Sequence, residues 1–402
     1  MFAGRSADGR LSHPWHPHRV GMRIAIVTES FPPDVNGVAH SVVRTAEHLL
    51  ERGHEPVVIA PSPHASGRQN IDRLPYPVVR IPSVPLPRYQ GFRLGVPTTT
   101  RLTGALLSAE PDVVHLASPF VLGARAATLA SRHGLPTVAV YQTDVAAYAR
   151  AYRVSWGEAA AWRRIREIHN SAQRTLAPST RAAADLIANG VQRIWLWRRG
   201  VDASRFDPAK RCAALRDRLA PGGELLVGYV GRLAPEKRVE LLAATSRLPG
   251  VRVVVAGDGP TRRQLARELP GVTFLGVQHG EDLARLYASL DLFVHTGPHE
   301  TFGQTIQEAL ASGVPVVAPN SGGPVDLVDQ GVTGLLVPPG DGDALAAAVA
   351  DLAGDADRRR AYGLAARVAV SRRSWAAVGD ELIGHYHAVR AAATTVGLPA
   401  AS

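Results

Sequence analysis

GPHETFGQTIQEALASGVPVVAPNSGGPVDLV, residues 297–328, reads in order as a loop, a helix, a buried strand and a glycine-rich turn. Phe302, Ile306, Ala309 and Leu310 recur at helical spacing as an apolar stripe, and Thr301, Gln304, Thr305, Glu308 and Ser312 share the other face. Thr301 followed three residues later by Gln304 has the spacing of a capping box. It predicts a helix that begins at Phe302 and turns the amides of Phe302, Gly303 and Gln304 outward, an end that attracts anions. Gly313 should stop the helix, and residues 314–318 should follow as a short buried strand. On a helical rise Glu300 and Glu308 stand about 12 Å apart. That is wider than the roughly 5 to 9.5 Å of a carboxyl pair acting on one glycosidic bond. The spacing suits two grips on an elongated phosphorylated ligand, although the helix alone fits a solvated face with two surface acids equally well.

Working outward, strands alternate with helices on both sides of this stretch. The first half places strands at 23–27, 56–60, 78–81, 112–116, 137–141 and 174–177, with helices near 39–52, 98–109, 122–133, 156–172 and from the cap Ser179 to 188. A Pro-rich irregular run occupies 82–97. The periodicity lapses between 205 and 224, and a second series begins at Leu225, with strands at 225–229, 251–256, 273–275, 292–296, 314–318 and 334–337. Both halves therefore read as doubly wound parallel α/β domains, over 22–207 and 222–374. A last helix, 375–393, has no strand after it and is expected to cross back onto the first domain.

The 402 residues are 46% hydrophobic, enough for two globular domains of ordinary composition. One cysteine, Cys212, excludes an intramolecular disulfide framework and a multi-cysteine metal site. The net charge of +10 comes mostly from scattered arginines and suits phosphates or anionic headgroups. The basic runs are too short, and too poor in interleaved aromatics, for nucleic acid. Residues 1–21 are polar, carry no apolar core and are expected to be a disordered tail rather than a signal peptide. No run of 18 apolar residues occurs. Trp195-Leu196-Trp197-Arg198-Arg199 is the aromatic and basic stretch best suited to a salt-sensitive membrane contact.

Candidate ligand residues gather at strand ends, where open α/β sheets bind. After the first strand, TESFPPDVNGV lacks the dinucleotide fingerprint, yet Gly37 can bring backbone close to a phosphate. Gln142-Thr143-Asp144 follows another strand. In GRLAPEK, Arg232 and Lys237 could hold a diphosphate, with Pro235 stiffening the loop between them; the plainer reading is a surface ion pair made by Glu236. Asp258 in AGDGP, Val277, and Arg199 in RGVD take similar positions. No Asp-x-Asp or His/Cys spacing for a metal appears in these segments.

FPPDVNGV, RGVD, GRLAPEK, GDGP and the E-x7-E from Glu300 to Glu308, in that order, resemble the family-4 retaining glycosyltransferases of GT-B fold. The resemblance covers roughly residues 22–390. IVTESFPPDVNGV, DVVHLASP, AVYQTD, LAPST and HETFGQTIQEALASG bring it nearest to GDP-mannose-dependent α-mannosyltransferases acting on membrane glycolipids. It implies two Rossmann-like domains facing a cleft and a metal-independent, retaining transfer from GDP-mannose to a lipid-linked hydroxyl. The enzyme would be cytoplasmic and peripheral to the inner face of the membrane. Arg232 and Lys237 would hold the donor diphosphate with Gly37 packed against it. Glu308 would take the ribose, and Glu300 with the amides of Phe302, Gly303 and Gln304 the sugar. Many relatives carry histidine where Gln142 stands, so Gln142 and Asp144 are expected to share its contact with the sugar. A UDP-glucose donor, or a nucleotide-sugar epimerase or hydrolase on the same architecture, are the alternatives.

Overall fold

The computed structural model describes residues 21–34, 36–63, 74–85, 93–117, 121–142 and 157–396. The tail expected over 1–21 lies outside these but for Gly21, and so does Asp144.

Two parallel sheets form the framework. The first contains β1 (Arg23–Val27), β2 (Glu55–Pro61), β3 (Val78–Ile81), β6 (Val113–Leu116), β7 (Thr137–Val140), β8 (Arg174–Ala177) and β9 (Ile194–Leu196), in the spatial order β3-β2-β1-β6-β7-β8-β9. A separate antiparallel hairpin, β4 (Ser83–Pro85) with β5 (Arg93–Gly95), stands in the Pro-rich run read as irregular. Its strands are three residues long, too short to show a period. The second sheet contains β10 (Leu225–Val230), β11 (Val251–Ala256), β12 (Thr273–Gly276), β13 (Leu292–Val294), β14 (Val316–Pro319) and β15 (Gly334–Val337), in the order β12-β11-β10-β13-β14-β15. Runs such as RIAIV and LLVGYV give these strands because both faces are covered by helices, so that after the half-buried Arg23 every residue of the first run is apolar and buried. The order reverses beside β1 and beside β10, so each sheet has a switch point, and the loops leaving those strands line a cleft.

β14 starts two residues later than expected. The preceding helix closes with Gly313 in the left-handed region (φ +70°), the Gly313 amide on the Leu310 carbonyl and the Val314 amide on that of Ala309. Val314 is thus spent on a Schellman closure.

Helix Trp375–Val396 lies against helix Gly37–Glu51, placing Val378, Leu382, Tyr386 and Val389 in one core with Ile24, Val42, Leu49 and Val113. Burial holds the His115 imidazole down at about 3, so the neutral ring meets the Tyr386 hydroxyl at 2.6 Å. The chain crosses between the two bodies twice, and the crossings run side by side. The Val201 amide donates to the Arg373 carbonyl at 2.8 Å, and a β-carbon on Gly200 would lie 2.6 Å from Trp375 Cα. Only glycine permits that approach. Among the described residues no helix is long and apolar enough to cross a membrane.

Candidate active site

The second-domain wall of the cleft is built from loops at the carboxyl ends of β10, β11, β13 and β14. The loop after β10 is zipped to the loop after β11 through Gly231 N to Ala256 O (3.0 Å) and Leu233 N to Asp258 O (2.9 Å). A β-carbon on Gly257 would stand 1.9 Å from the Gly231 carbonyl oxygen, so AGDGP carries glycine there for contact as well as for its φ of +140°. A 3-10 turn over Pro235–Lys237 buries Glu236, which pairs with Arg232. This is the ion pair the plainer sequence reading expected, but its carboxylate lies inside the protein rather than on the surface.

Lys237 takes a different partner. Its Nζ donates to Glu300 Oε2 at 2.6 Å, and Thr296 Oγ1 donates to its carbonyl at 2.6 Å, tying the turn to the end of β13. Burial by itself would raise the Glu300 carboxyl. The Lys237 ammonium, helped by His295 and Arg199, instead holds it down at about 2, so Glu300 is a carboxylate throughout the physiological range. The Glu300 backbone is fixed too: Gly323 N donates to its carbonyl at 2.7 Å, and a β-carbon on Gly322 would come within 2.5 Å of the same oxygen.

His295 was missed in the sequence. Its Nε2 lies 3.8 Å from Glu300 Oε2, and neither ring nitrogen has a hydrogen-bond partner among the described residues. Burial lowers its pKa to about 4 and leaves the ring neutral. A polar residue directly after a buried strand was the available signal, the same one that drew attention to Gln142.

The capping box does not form. The helix runs Gln304–Ala311, entered through Gly303 in the left-handed region (φ +101°), with no side-chain cap. Thr301 Oγ1 instead donates across the cleft to the Gln142 carbonyl at 3.2 Å, and the Phe302 side chain is buried in the core. The outward amides of this end therefore start at Gln304, two residues later than expected, and Phe302 offers a ligand backbone only. Further along, Glu308 lies beside Tyr287 and Gln304. Burial pushes its carboxyl up to about 7 although both neighbours and Arg205 pull it down. At the rim, Asp258 is exposed, its Oδ1 accepting from the Gly259 amide, and Val277 follows β12 with half its surface open.

The first-domain wall is centred on Arg199. The residue is buried, with 7% of its surface exposed. NH2 donates to Gln142 Oε1 at 2.8 Å and NH1 to the Gly37 carbonyl at 3.2 Å; Gln142 Nε2 donates to the Ala117 carbonyl at 3.1 Å, so both ends of that amide are engaged. Gly37 opens helix Gly37–Glu51, which is capped by Asn36. The stretch assigned above to a membrane contact is divided: Trp197 and Arg199 are buried, while Leu196 keeps 38% of its surface exposed and Trp195 and Arg198 are half-buried. Ile194–Leu196 is strand β9, Trp197 is buried with its indole N–H on the Val378 carbonyl, and Arg199 faces the cleft. Gln304 Nε2 to Gly200 O (3.2 Å) and Gln307 Nε2 to Arg199 O (3.1 Å) join the two walls. Among the described residues no three His, Cys, Asp or Glu side chains group as a metal site would require.

Residues 35–205 match Glycosyltransferase Family 4, and residues 213–369 match Glycosyl transferases group 1. A GDP-mannose-dependent alpha-mannosyltransferase of Mycobacterium tuberculosis is 50% identical over 378 residues, 93% of this chain and 99% of the relative. The chain belongs to the family-4 glycosyltransferases. A GDP-mannose-dependent alpha-mannosyltransferase of Corynebacterium glutamicum is 44% identical over 91% of this chain and 88% of its own length, and sulfoquinovosyl transferase SQD2 of Arabidopsis thaliana 33% identical over 90% and 72%. Among solved structures, sucrose-phosphate synthase from Thermosynechococcus elongatus superposes with a TM-score of 0.79 at 23% identity, covering 92% of this chain and 99% of that one. HepE of Anabaena with UDP and glucose gives 0.74 at 21%, over 91% and 99%. At that identity these structures establish the GT-B fold of this glycosyltransferase, and the enzyme class follows from its sequence relatives.

Proposed function

We propose that this glycosyltransferase moves an α-mannosyl residue from GDP-mannose to a hydroxyl of a membrane glycolipid, with retention and without a metal ion. The observation that carries the proposal is the 50% identity, spanning both domains, to relatives named for GDP-mannose and α-mannosyl transfer. The lipid acceptor is supported by a more distant relative, 27% identical over 74% of this chain, named a phosphatidylinositol dimannoside mannosyltransferase.

In this reading Arg232 and Lys237 hold the donor diphosphate and take up charge as the glycosidic bond to GDP breaks, which is electrostatic catalysis by groups already in place. Their carboxylate partners, Glu236 and Glu300, hold them at the strand ends where the phosphates arrive. Glu300 and the amides from Gln304 on hold the mannose, Glu308 accepts from the ribose hydroxyls, and exposed Val277 packs against the base. Arg199, set by Gly37 and Gln142, faces the leaving phosphate from the opposite wall, and Gln142 and Asp144 share the contact with the sugar that a histidine makes in many relatives. The leaving phosphate oxygen takes the acceptor proton as the new bond forms on the same face. Attachment to the inner membrane face is peripheral and relies on the excess of arginine.

Purified enzyme, total membrane lipid and a panel of GDP- and UDP-sugars, with and without EDTA, test this by mass spectrometry of the products. Mannosylated lipid from GDP-mannose alone, unaffected by EDTA, is the expected result. Transfer from a UDP-sugar, free mannose without acceptor, or loss on chelation restored by Mg²⁺ would each overturn its part of the proposal.

A further inference from the structure

Asp326 lies in the second domain, on the short helix Pro324–Leu327, and its side chain is 4% exposed. Its carboxylate is spent on the first domain. Oδ2 accepts from the Thr180 amide at 2.8 Å, Oδ1 accepts from the Thr180 hydroxyl, and Arg198 NH2 stands 3.3 Å from Oδ2. Thr180 opens helix Thr180–Ala188, whose own cap, Ser179, already accepts from Ala182 N. One amide of that first turn is thus satisfied locally and another from across the cleft. The bridges from Thr301, Gln304 and Gln307 are neutral donors on carbonyls, and a further ion pair, Arg367 to Asp207 at 2.7 Å, lies where the chain leaves the first domain. The Asp326 bridge carries a full charge onto a helix amino terminus and an arginine, the stronger kind of contact.

Asp326 is also tied to the sugar-side loop. Its amide donates to the Gly323 carbonyl at 3.0 Å, and Gly323 N donates to Glu300 O at 2.7 Å. A β-carbon on Gly323 would lie 2.2 Å from the Phe302 carbonyl oxygen, so the turn and the Glu300 loop move as one piece. Arg198 precedes by two residues the point where Gly200 presses on Trp375 at the paired crossings. The carboxylate therefore sits beside the hinge, where a small displacement becomes a large change of angle at the cleft.

We propose that Asp326 is a positioning residue: by capping the first-domain helix it braces the two domains at the angle that brings Glu300 and Lys237 opposite Arg199 and Gln142. It does not touch the donor. The brace concerns domain geometry, and only its kinetic readout rests on the mannosyl-transfer reading.

The test uses the full chain as wild type, Asp326→Ala, Asp326→Asn, Thr180→Val and the Asp326→Ala/Thr180→Val double variant. Donor kinetics are combined with interdomain distances from paired spin labels, one on each domain. Loss of a charge-assisted bond should lower kcat of Asp326→Ala about tenfold. Donor KM should stay within about threefold, because uniform donor binding is untouched. The interdomain distance distribution should broaden. Asp326→Asn, which keeps an acceptor, should recover part of the loss, and the double variant should match Asp326→Ala, since the hydroxyl contact that Thr180→Val removes is already lost with the carboxylate. A broadened distribution in a protein that turns over no GDP-mannose would still support the brace while sinking the mannosyl reading. An unchanged distribution, whether kcat holds or falls with melting temperature, would overturn the proposal, as would additive losses in the double variant.

Discussion

The two walls of the cleft are made differently. On the second domain, Lys237, Glu300, Arg232 and Glu236 neutralise one another within loops that leave adjacent strands of one sheet. On the first, a buried guanidinium is held by one carbonyl and one side-chain amide, with no carboxylate among the described residues in hydrogen bond to it. Burial lowers the pKa of Arg199 to about 10, with Glu300 acting in the opposite sense, so it remains charged. A wall of paired charges is stable whatever the occupant, but each charge is coupled to its partner's protonation. A lone arginine among neutral acceptors keeps its remaining donors for something else. Variants should therefore do most damage on the paired wall and least on the neutral one.

The largest effect is expected at Lys237. Lys237→Ala removes both a diphosphate contact and the cation that keeps Glu300 ionised. A loss of about a hundredfold or more in kcat is expected, the scale of removing one preorganised electrostatic group. Acid stability should change as well. A carboxyl at about 2 in the fold, against an ordinary 4.5, contributes stability above pH 4.5 that is lost as pH falls toward 2. Without Lys237 the Glu300 pKa rises, that contribution shrinks, and acid unfolding should move to higher pH. Coincident acid transitions in wild type and variant would mean that the pair does not set the Glu300 charge.

The contrast also governs what could be read in advance. Apolar runs such as VRVVVA and the loops GRLAPEK and GDGP lie within short windows, and their strands and cations stand at the expected strand ends. Arg199 finds Gln142 across 57 positions and Gly37 across 162, partnerships that no local pattern encodes. Within the Trp195–Arg199 stretch the burial of Trp197 was illegible for the same reason: it depends on the helix at Trp375–Val396 covering it. At Thr301 a real spacing misled, because Gly303 adopts a left-handed turn and the threonine hydroxyl is used between domains. β9, with three residues, had too little length to declare a period.

A middle-sized effect is expected at Glu308, where burial rather than pairing sets the charge. With its carboxyl at about 7, deprotonation between pH 6 and 8 should strengthen its bonds from the ribose hydroxyls, and the wild-type donor KM should fall across that range. Glu308→Gln should show a raised KM with no such trend and little change in kcat. The stability sign runs opposite to that of Glu300. A carboxyl raised from 4.5 to about 7 makes the fold lose stability as pH rises through that window, so the glutamine variant should gain on wild type between those values. A KM trend that persists in the variant would assign the titration to another group.

The smallest effect should come from the neutral wall, at Gly37. A β-carbon there would stand 2.9 Å from Arg199 NH1, closer than carbon and nitrogen tolerate, and the atom that must yield is the end of a long side chain rather than backbone. The helical position itself accepts alanine, which is a better helix former than glycine by roughly 1 kcal/mol. Gly37→Ala should thus leave thermal stability unchanged or slightly raised while swinging Arg199 off the Gly37 carbonyl. If Arg199 faces the leaving phosphate, that swing disturbs orientation where charge develops, and kcat should fall by several-fold with donor KM nearly constant. Adding Arg199→Ala to Gly37→Ala should then cost no more than Arg199→Ala alone, because both act through one guanidinium. Full activity in Gly37→Ala, or additive losses in the pair, would place Arg199 among the structural groups and leave the charged wall to act on the donor unaided.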